Sequence, residues 1–309
     1  MIYRLLAIIL IIAVVGFMGY AFYQKNFTSN KVSTPSVDTQ FITENYDTLI
    51  STPNSPEFVR ALHENGFAVY HVGIIFPWDQ QSVVQKKFAD TTSAWRLAGR
   101  LELNRDCYGF LFLGNPMAQS HILDAGCGGG TSSILMDKIF NCYVDGYTLG
   151  NKEIKHAQAT ATLHNSSDKL RFFQGDILKL PEKDNVYDAI WISESSEYIA
   201  SLSELFGEMK RVGKDGARMV MFTWTAAKDS GKKQMDDLYF TALHRVEEYL
   251  TVAKQHNLKL VHQQNLRDWV APYFNFVVES KLYIEEMHLI QMFLTGELDY
   301  YLLCFDIQK

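Results

Sequence analysis

From residue 121 onward, apolar and polar positions settle into a regular alternation. Short apolar runs with the length of buried strands are separated by stretches with helical spacing. The runs are HILDAG, CYVDGYTL, LRFFQGD, YDAIWIS, ARMVMFTW, LKLVHQ and YYLLCFDI, so seven strands are predicted. Helices are expected over 132–140, 152–164, 202–211, 236–256 and 269–294. That βαβ rhythm predicts an α/β fold with a Rossmann-like sheet. Residues 56–118 read as a mainly helical N-terminal cap, with Ser55 as candidate N-cap ahead of Pro56. Its apolar positions include Phe58, Leu62, Trp95, Leu97, Leu101 and Leu103. The stretch FAVYHVGIIFPWD interrupts it with a dense set of aromatics.

The first segment follows another pattern. Residues 5–24 carry no charge, and at about 1.5 Å per residue they would span a hydrocarbon core of about 30 Å. The apolar run is longer than a signal peptide core and lacks a clear cleavage site, so residues 1–24 are expected to be an uncleaved transmembrane anchor. Tyr20 and Tyr23 suit the interface. Arg4 on one side and Lys25 and Lys31 on the other leave orientation open. Residues 25–55, rich in Ser, Thr, Asn and Pro, are expected to be a linker, and 119–309 the main domain.

The chain has 309 residues, 47% of them hydrophobic, enough for a substantial core. Its formal net charge of −6, without a Lys/Arg-rich run, argues against nucleic acid as a partner. Cys107, Cys127, Cys142 and Cys304 are scattered, with no CxxC pair, and are expected to be reduced thiols. Cys127 lies in a glycine loop where any small residue suffices.

That loop is the strongest local signal. In LDAGCGGGTSS, residues 123–133, an apolar strand leads through Asp124 into Gly126, Gly128, Gly129 and Gly130, and a helix starts near Thr131. Glycines permit positive φ and close ligand approach, while the helix N-terminus offers unpaired N–H donors. NAD enzymes use a related fingerprint at the same place. Asp124 favours a cationic amino group over a pyrophosphate, which a carboxylate would repel. A second acid, Asp176, ends the third strand, with Ile177 placed to flank an adenine ring. The competing reading is that both acids only cap helices.

LDAGCGGGT, GDI and their spacing resemble the class I S-adenosylmethionine (SAM)-dependent methyltransferases. Residues from 101 to the C-terminus resemble the terpenoid C-methyltransferases, typified by geranyl diphosphate 2-C-methyltransferase, near the sterol and cyclopropane-fatty-acid enzymes. The carrying segments also include VDGYTL, AIWISESSEYIASLSELF, HRVEEYLTVAKQHNL, APYF and TGELDYYLLCFDI. The resemblance implies SAM binding by Asp124, Gly126, Gly128, Thr148, Leu149, Asp176 and Ile177. Gly150 and Glu153 depart from the family's Ser and Gln. The family's Asn-Glu-Ser-x-x-Tyr pattern falls on Ser193, Glu194, Ser195 and Tyr198, which makes Glu194 and Tyr198 the catalytic candidates. Glu197 reads as a solvated acid at a helix start.

The chemistry implied is attack of an alkene on a sulfonium methyl, leaving a carbocation that needs aromatic faces and a carboxylate. Candidate walls are Trp191, Tyr198, Trp224, Tyr273, Phe274 and Tyr70. The insert before the last strand, from Trp269 through Tyr273, Phe274, Phe276, Tyr283, Met287, Met292 and Phe293, is a candidate roof. Mg²⁺ would enter through the substrate diphosphate, with no protein metal ligands expected. The expected substrate is an isoprenoid, most simply geranyl or farnesyl diphosphate. A sterol, fatty acyl or other membrane lipid, or a non-catalytic SAM-binding role, are the alternatives. A SAM-using domain would face the cytosol from a single-pass anchor, and a homo-oligomer is compatible with such a chain.

Overall fold

All seven apolar runs form strands: β1 (His121–Ala125), β2 (Tyr143–Thr148), β3 (Leu170–Gln174), β4 (Tyr187–Ser193), β5 (Gly213–Ala226), β6 (Leu258–Asn265) and β7 (Leu298–Ile307). The helices are α1 (Thr91–Phe110), α2 (Thr131–Phe140), α3 (Asn151–Leu163), α4 (Leu202–Val212), α5 (Asp229–Tyr239), α6 (Val246–Gln255), α7 (Arg267–Glu279) and α8 (Met287–Leu294). The computed structural model describes residues 72–77, 91–114, 116, 118–282 and 286–309, which belong to one unit, Val37–Lys309. The expected anchor and linker, with Phe58, Leu62, Tyr70 and Tyr283, lie outside the described residues. Among the described residues no helix is long and apolar enough to cross a membrane.

One sheet runs in the order β3-β2-β1-β4-β5-β7-β6, parallel except for β7, which is antiparallel to both its neighbours. β4 is buried at all but one position, as expected for a parallel strand covered on both faces. Edge strand β6 buries only Leu258. Successive strand positions feed opposite cores. Ile122, Val144, Trp191 and Phe222 meet α1, α2, α3, α7 and α8, whereas Leu123, Ile190, Ile192 and Met219 meet α4 and α6. In α4, Leu202, Leu205, Phe206, Met209 and Val212 form the buried stripe. Ser201 Oγ opens that helix by accepting from Glu204 N at 3.2 Å.

Two helices expected to be continuous are broken. The one expected over 236–256 is α5 and α6, because Asp236 Oδ1 accepts from Thr241 Oγ1 and Leu243 N, both at 2.8 Å, and Phe240 turns left-handed at φ 55°. Glu248 accepts from Arg245 N at 2.7 Å and restarts the helix as a capping box. The one expected over 269–294 is α7 and α8. Leu282 N donates to Val277 O at 2.9 Å and Lys281 N to Val278 O at 3.1 Å, with Lys281 at φ 58°. This pairing is a Schellman stop built on a lysine rather than a glycine.

Candidate active site

The chain reverses its winding direction between β1 and β4, so the loops that follow these strands diverge and open a crevice at the carboxyl edge of the sheet. The loop after β1 is tied to β2, since Gly126 N and Cys127 N both donate to Tyr147 O at 2.9 Å. Gly126 sits at φ 87°, and a Cβ there would lie 2.4 Å from that of Ser195. Only a glycine lets the loop after β4 close down, where Ser195 Oγ donates to Ala125 O at 2.9 Å. At Gly128, φ 48°, the nearest atom to an added Cβ is Glu153 Oε1 at 3.7 Å.

Asp124 is sealed from solvent, and its Oδ2 accepts from Ser133 Oγ at 2.6 Å. Burial pushes its carboxyl up to about 7, the Ser133 hydrogen bond opposes the rise, and nearby Asp106 adds to it. Thr148 Oγ1 donates to buried Glu153 Oε2, and Leu149 is half-buried. Asp176 is exposed and takes Leu178 N on Oδ1 at 2.9 Å, a capping geometry, while Ile177 beside it is buried. Acids therefore flank the glycine turn at Asp124 and Glu153. A pyrophosphate would meet repulsion there, whereas a sulfonium nucleoside carrying an ammonium meets complementary charge. These residues fit SAM.

The second half of the site is built around Glu194, which follows β4 in the left-handed region at φ 48°, a conformation costing of order 1 kcal/mol for a non-glycine residue. Three donors converge on its Oε1: Arg105 Nη1 at 2.6 Å, Tyr300 OH at 2.6 Å and Val72 N at 3.0 Å. They come from α1, from β7 and from the extended segment 72–77. That segment is held by Ile74 N donating to Leu101 O at 3.1 Å and Ile75 N to Trp269 O at 3.0 Å. Burial raises the Tyr300 phenol well above its ordinary value, Arg105 opposes the rise and Glu194 adds to it, so Tyr300 remains a neutral donor.

Tyr300, which donates to this carboxylate, belongs to a buried cluster of aromatic rings. Tyr300 stacks on Phe222 at 6.1 Å and meets Trp224 edge-on at 4.9 Å, and Trp224 lies parallel to Phe274 at 6.1 Å. Trp191, one of the candidate walls, is core, wedged between Phe110 at 4.8 Å and Phe222 at 5.6 Å. Tyr273 is buried with its hydroxyl donating to Glu102 Oε1 at 2.7 Å. Tyr198 is half-buried at the end of the short 3₁₀ turn Ser196–Tyr198. Among the described residues no group of three or more His, Cys, Asp or Glu could hold a metal ion.

Residues 123–221 match the family model described as a methyltransferase domain. Those residues are a methyltransferase domain. Among its relatives is a probable chloroplastic tocopherol O-methyltransferase of Oryza sativa subsp. japonica, 30% identical over 52% of this chain and 48% of the relative. The chain thus spans about half the length of that relative. A geranyl diphosphate 2-C-methyltransferase of Saccharopolyspora erythraea is 28% identical over 78% of this chain and 86% of its own. A crystal structure of the geranyl diphosphate C-methyltransferase from Streptomyces coelicolor A3(2), with Mg²⁺, geranyl-S-thiolodiphosphate and S-adenosyl-L-homocysteine, superposes with a TM-score of 0.79. It covers 90% of this chain and 100% of that one at 21% identity, a likeness of fold.

Several residues of the candidate site were misread or missed in the sequence. Glu197 is the plainest correction: expected as a solvated acid, it is 2% exposed, takes Trp224 N on Oε1 at 2.6 Å, and leaves Oε2 buried without a hydrogen-bond partner. Burial pushes its carboxyl up to about 8, donation from Trp224 N opposes the rise, and the Glu194 charge adds to it. Ser193, standing where the resemblance expects Asn, is buried with its Oγ unpartnered. Arg105, Asp106 and Tyr300 were overlooked because each lies inside an ordinary helical or strand pattern. The available hint was register, since antiparallel pairing puts Tyr300 opposite Trp224.

Proposed function

We propose that the chain is a SAM-dependent C-methyltransferase acting on the alkene of an isoprenoid, with a prenyl diphosphate as substrate. SAM when bound supplies an electrophilic sulfonium methyl group. The observation that carries the reading is a carboxylate at the carboxyl edge of the sheet, held by Tyr300 of a buried aromatic cluster and across the β1–β4 crevice from the acid-flanked glycine turn. On this reading a carbon–carbon bond forms as the methyl leaves sulfur, and the substrate is left cationic at the adjacent carbon. Glu194 stabilises that cation and takes a neighbouring proton, which regenerates a double bond. Trp224, Phe274 and Tyr300 offer it ring faces. The segment 72–77 and α7 exclude water while the cation exists.

Support for a carbon acceptor comes from the relative named for geranyl diphosphate, which aligns over most of both chains. Residues 5–24 serve in this proposal as an anchor that holds the domain on the cytosolic side beside a lipid-like substrate. The test uses membranes carrying the full chain, labelled SAM, Mg²⁺ and a panel of prenyl diphosphates, with sterol and tocopherol precursors in parallel and products identified by mass. A prenyl diphosphate heavier by one methylene, formed by sedimented membranes, is expected. Methylation confined to the sterol or tocopherol arm would overturn the substrate assignment, and activity left in the supernatant would overturn the anchor.

A further inference from the structure

Arg105 is fully buried, an expensive place for a guanidinium. Its Nε and Nη2 both donate to Asp106 Oδ1, while its Nη1 reaches Glu194 Oε1 at 2.6 Å and Tyr300 OH at 2.9 Å. Its Cζ lies 4.9 Å over the Phe222 ring. The other oxygen of Asp106 accepts from Ser132 Oγ at 2.6 Å, in the first turn of the helix that follows the glycine loop. Stability alone does not account for this arrangement, since well-packed apolar side chains of similar volume commonly stabilise a core as well or better.

The arrangement has a consequence for Glu194. One cation is shared between two carboxylates, so the cluster retains a net negative charge at its Glu194 end, among the rings of Tyr300, Phe222 and Trp224. Burial works against the Arg105 charge, but Asp106, Tyr300 and Glu194 more than offset it and hold the guanidinium protonated. Among the described residues Glu197 also faces Glu194, and its burial keeps it largely neutral near pH 7.

We propose that Arg105, braced by Asp106 and Ser132, is a positioning residue that keeps Glu194 ionised and fixes its carboxylate against the aromatic pocket. The proposal rests on the reading of Glu194 as the catalytic carboxylate. It implies that Glu194 acts as a fixed negative charge first and as a proton acceptor second, because an arginine-held carboxylate is a weak base.

The test is built so that the two ideas fail separately. Infrared difference spectra of the full chain, with ¹³C-labelled glutamate and with Glu194→Gln as the assignment control, follow the protonated carboxyl band of Glu194 against pH. The double variant Arg105→Gln/Asp106→Asn removes both members of the buried ion pair, so that Glu194 alone loses its cation and no charge is stranded at Asp106. In it the Glu194 midpoint is expected to move up by about one to three pH units. The acid limb of methyl transfer should move with it, while calorimetry still shows SAM bound. Arg105→Lys keeps the charge but loses the fork. It should leave the midpoint near the native value and lower kcat at unchanged KM. An unchanged Glu194 midpoint in the double variant overturns the positioning role whatever the substrate proves to be. Native turnover by Glu194→Gln overturns the catalytic reading and leaves the midpoint result standing on its own.

Discussion

The two sides of the crevice are built from contacts of different reach. On the glycine-loop side, Asp124 meets Ser133 nine positions on, and Thr148 meets Glu153 five positions on. On the Glu194 side, Arg105 lies 89 positions from Glu194 and 195 from Tyr300, and Val72 lies 122 from Glu194. The first side is a local device, a strand end and a turn that carry their own partners. The second exists only when the segment 72–77, α1, β4 and β7 have all docked. Function can therefore be lost from one side while the other stays intact, and the two are joined at Ser195 and through Asp106, which holds Ser132.

The largest expected effect separates the sides cleanly. Glu194→Gln should lower methyl transfer by about 10²–10⁴-fold, with SAM affinity in calorimetry unchanged; loss of SAM binding in this variant would mean that the sides are not separable. Gly126→Ala should damage both at once, since its Cβ would land on Ser195 in a left-handed conformation. A loss of about 1–3 kcal/mol in urea unfolding is expected, together with weaker SAM binding. A stable variant that binds SAM normally would show that the loop after β4 does not close against Gly126.

The smallest effect is a slope. Asp124 and Glu197 are both raised in the folded protein, from 3.8 to about 7 and from 4.5 to about 8. Between about pH 4 and 8 the folded state therefore holds protons that the unfolded chain has released, and stability falls as pH rises through that window. Asp124→Asn should flatten the lower part of the fall and Glu197→Gln the upper part, measured as Tm against pH. A native slope in Glu197→Gln would place its carboxyl among ordinary ionised acids.

How much of this was legible follows from the same difference in reach. The seven strands were readable because each buried strand is a continuous apolar run, and the glycine turn because its geometry demands particular residues in a row. Glu194 and Tyr198 became candidates through a resemblance carried by neighbouring residues, not through any contact they make. The two broken helices were missed because their stop signals are side-chain contacts, Asp236 folding back on Leu243 and a left-handed Lys281, rather than a glycine or proline.

The amino-acid order alone determined the class of sheet, the order of its elements and the glycine turn with Asp124, since periodicity and local backbone demands are properties of consecutive residues. Only the tertiary structure decided that Glu197 is buried, that Trp191 is core, and that Arg105 finds Glu194 and Tyr300. Burial and proton affinity depend on what distant segments bring to a point in space, and a helix carrying Arg105 reads the same whether that charge ends in water or between two carboxylates.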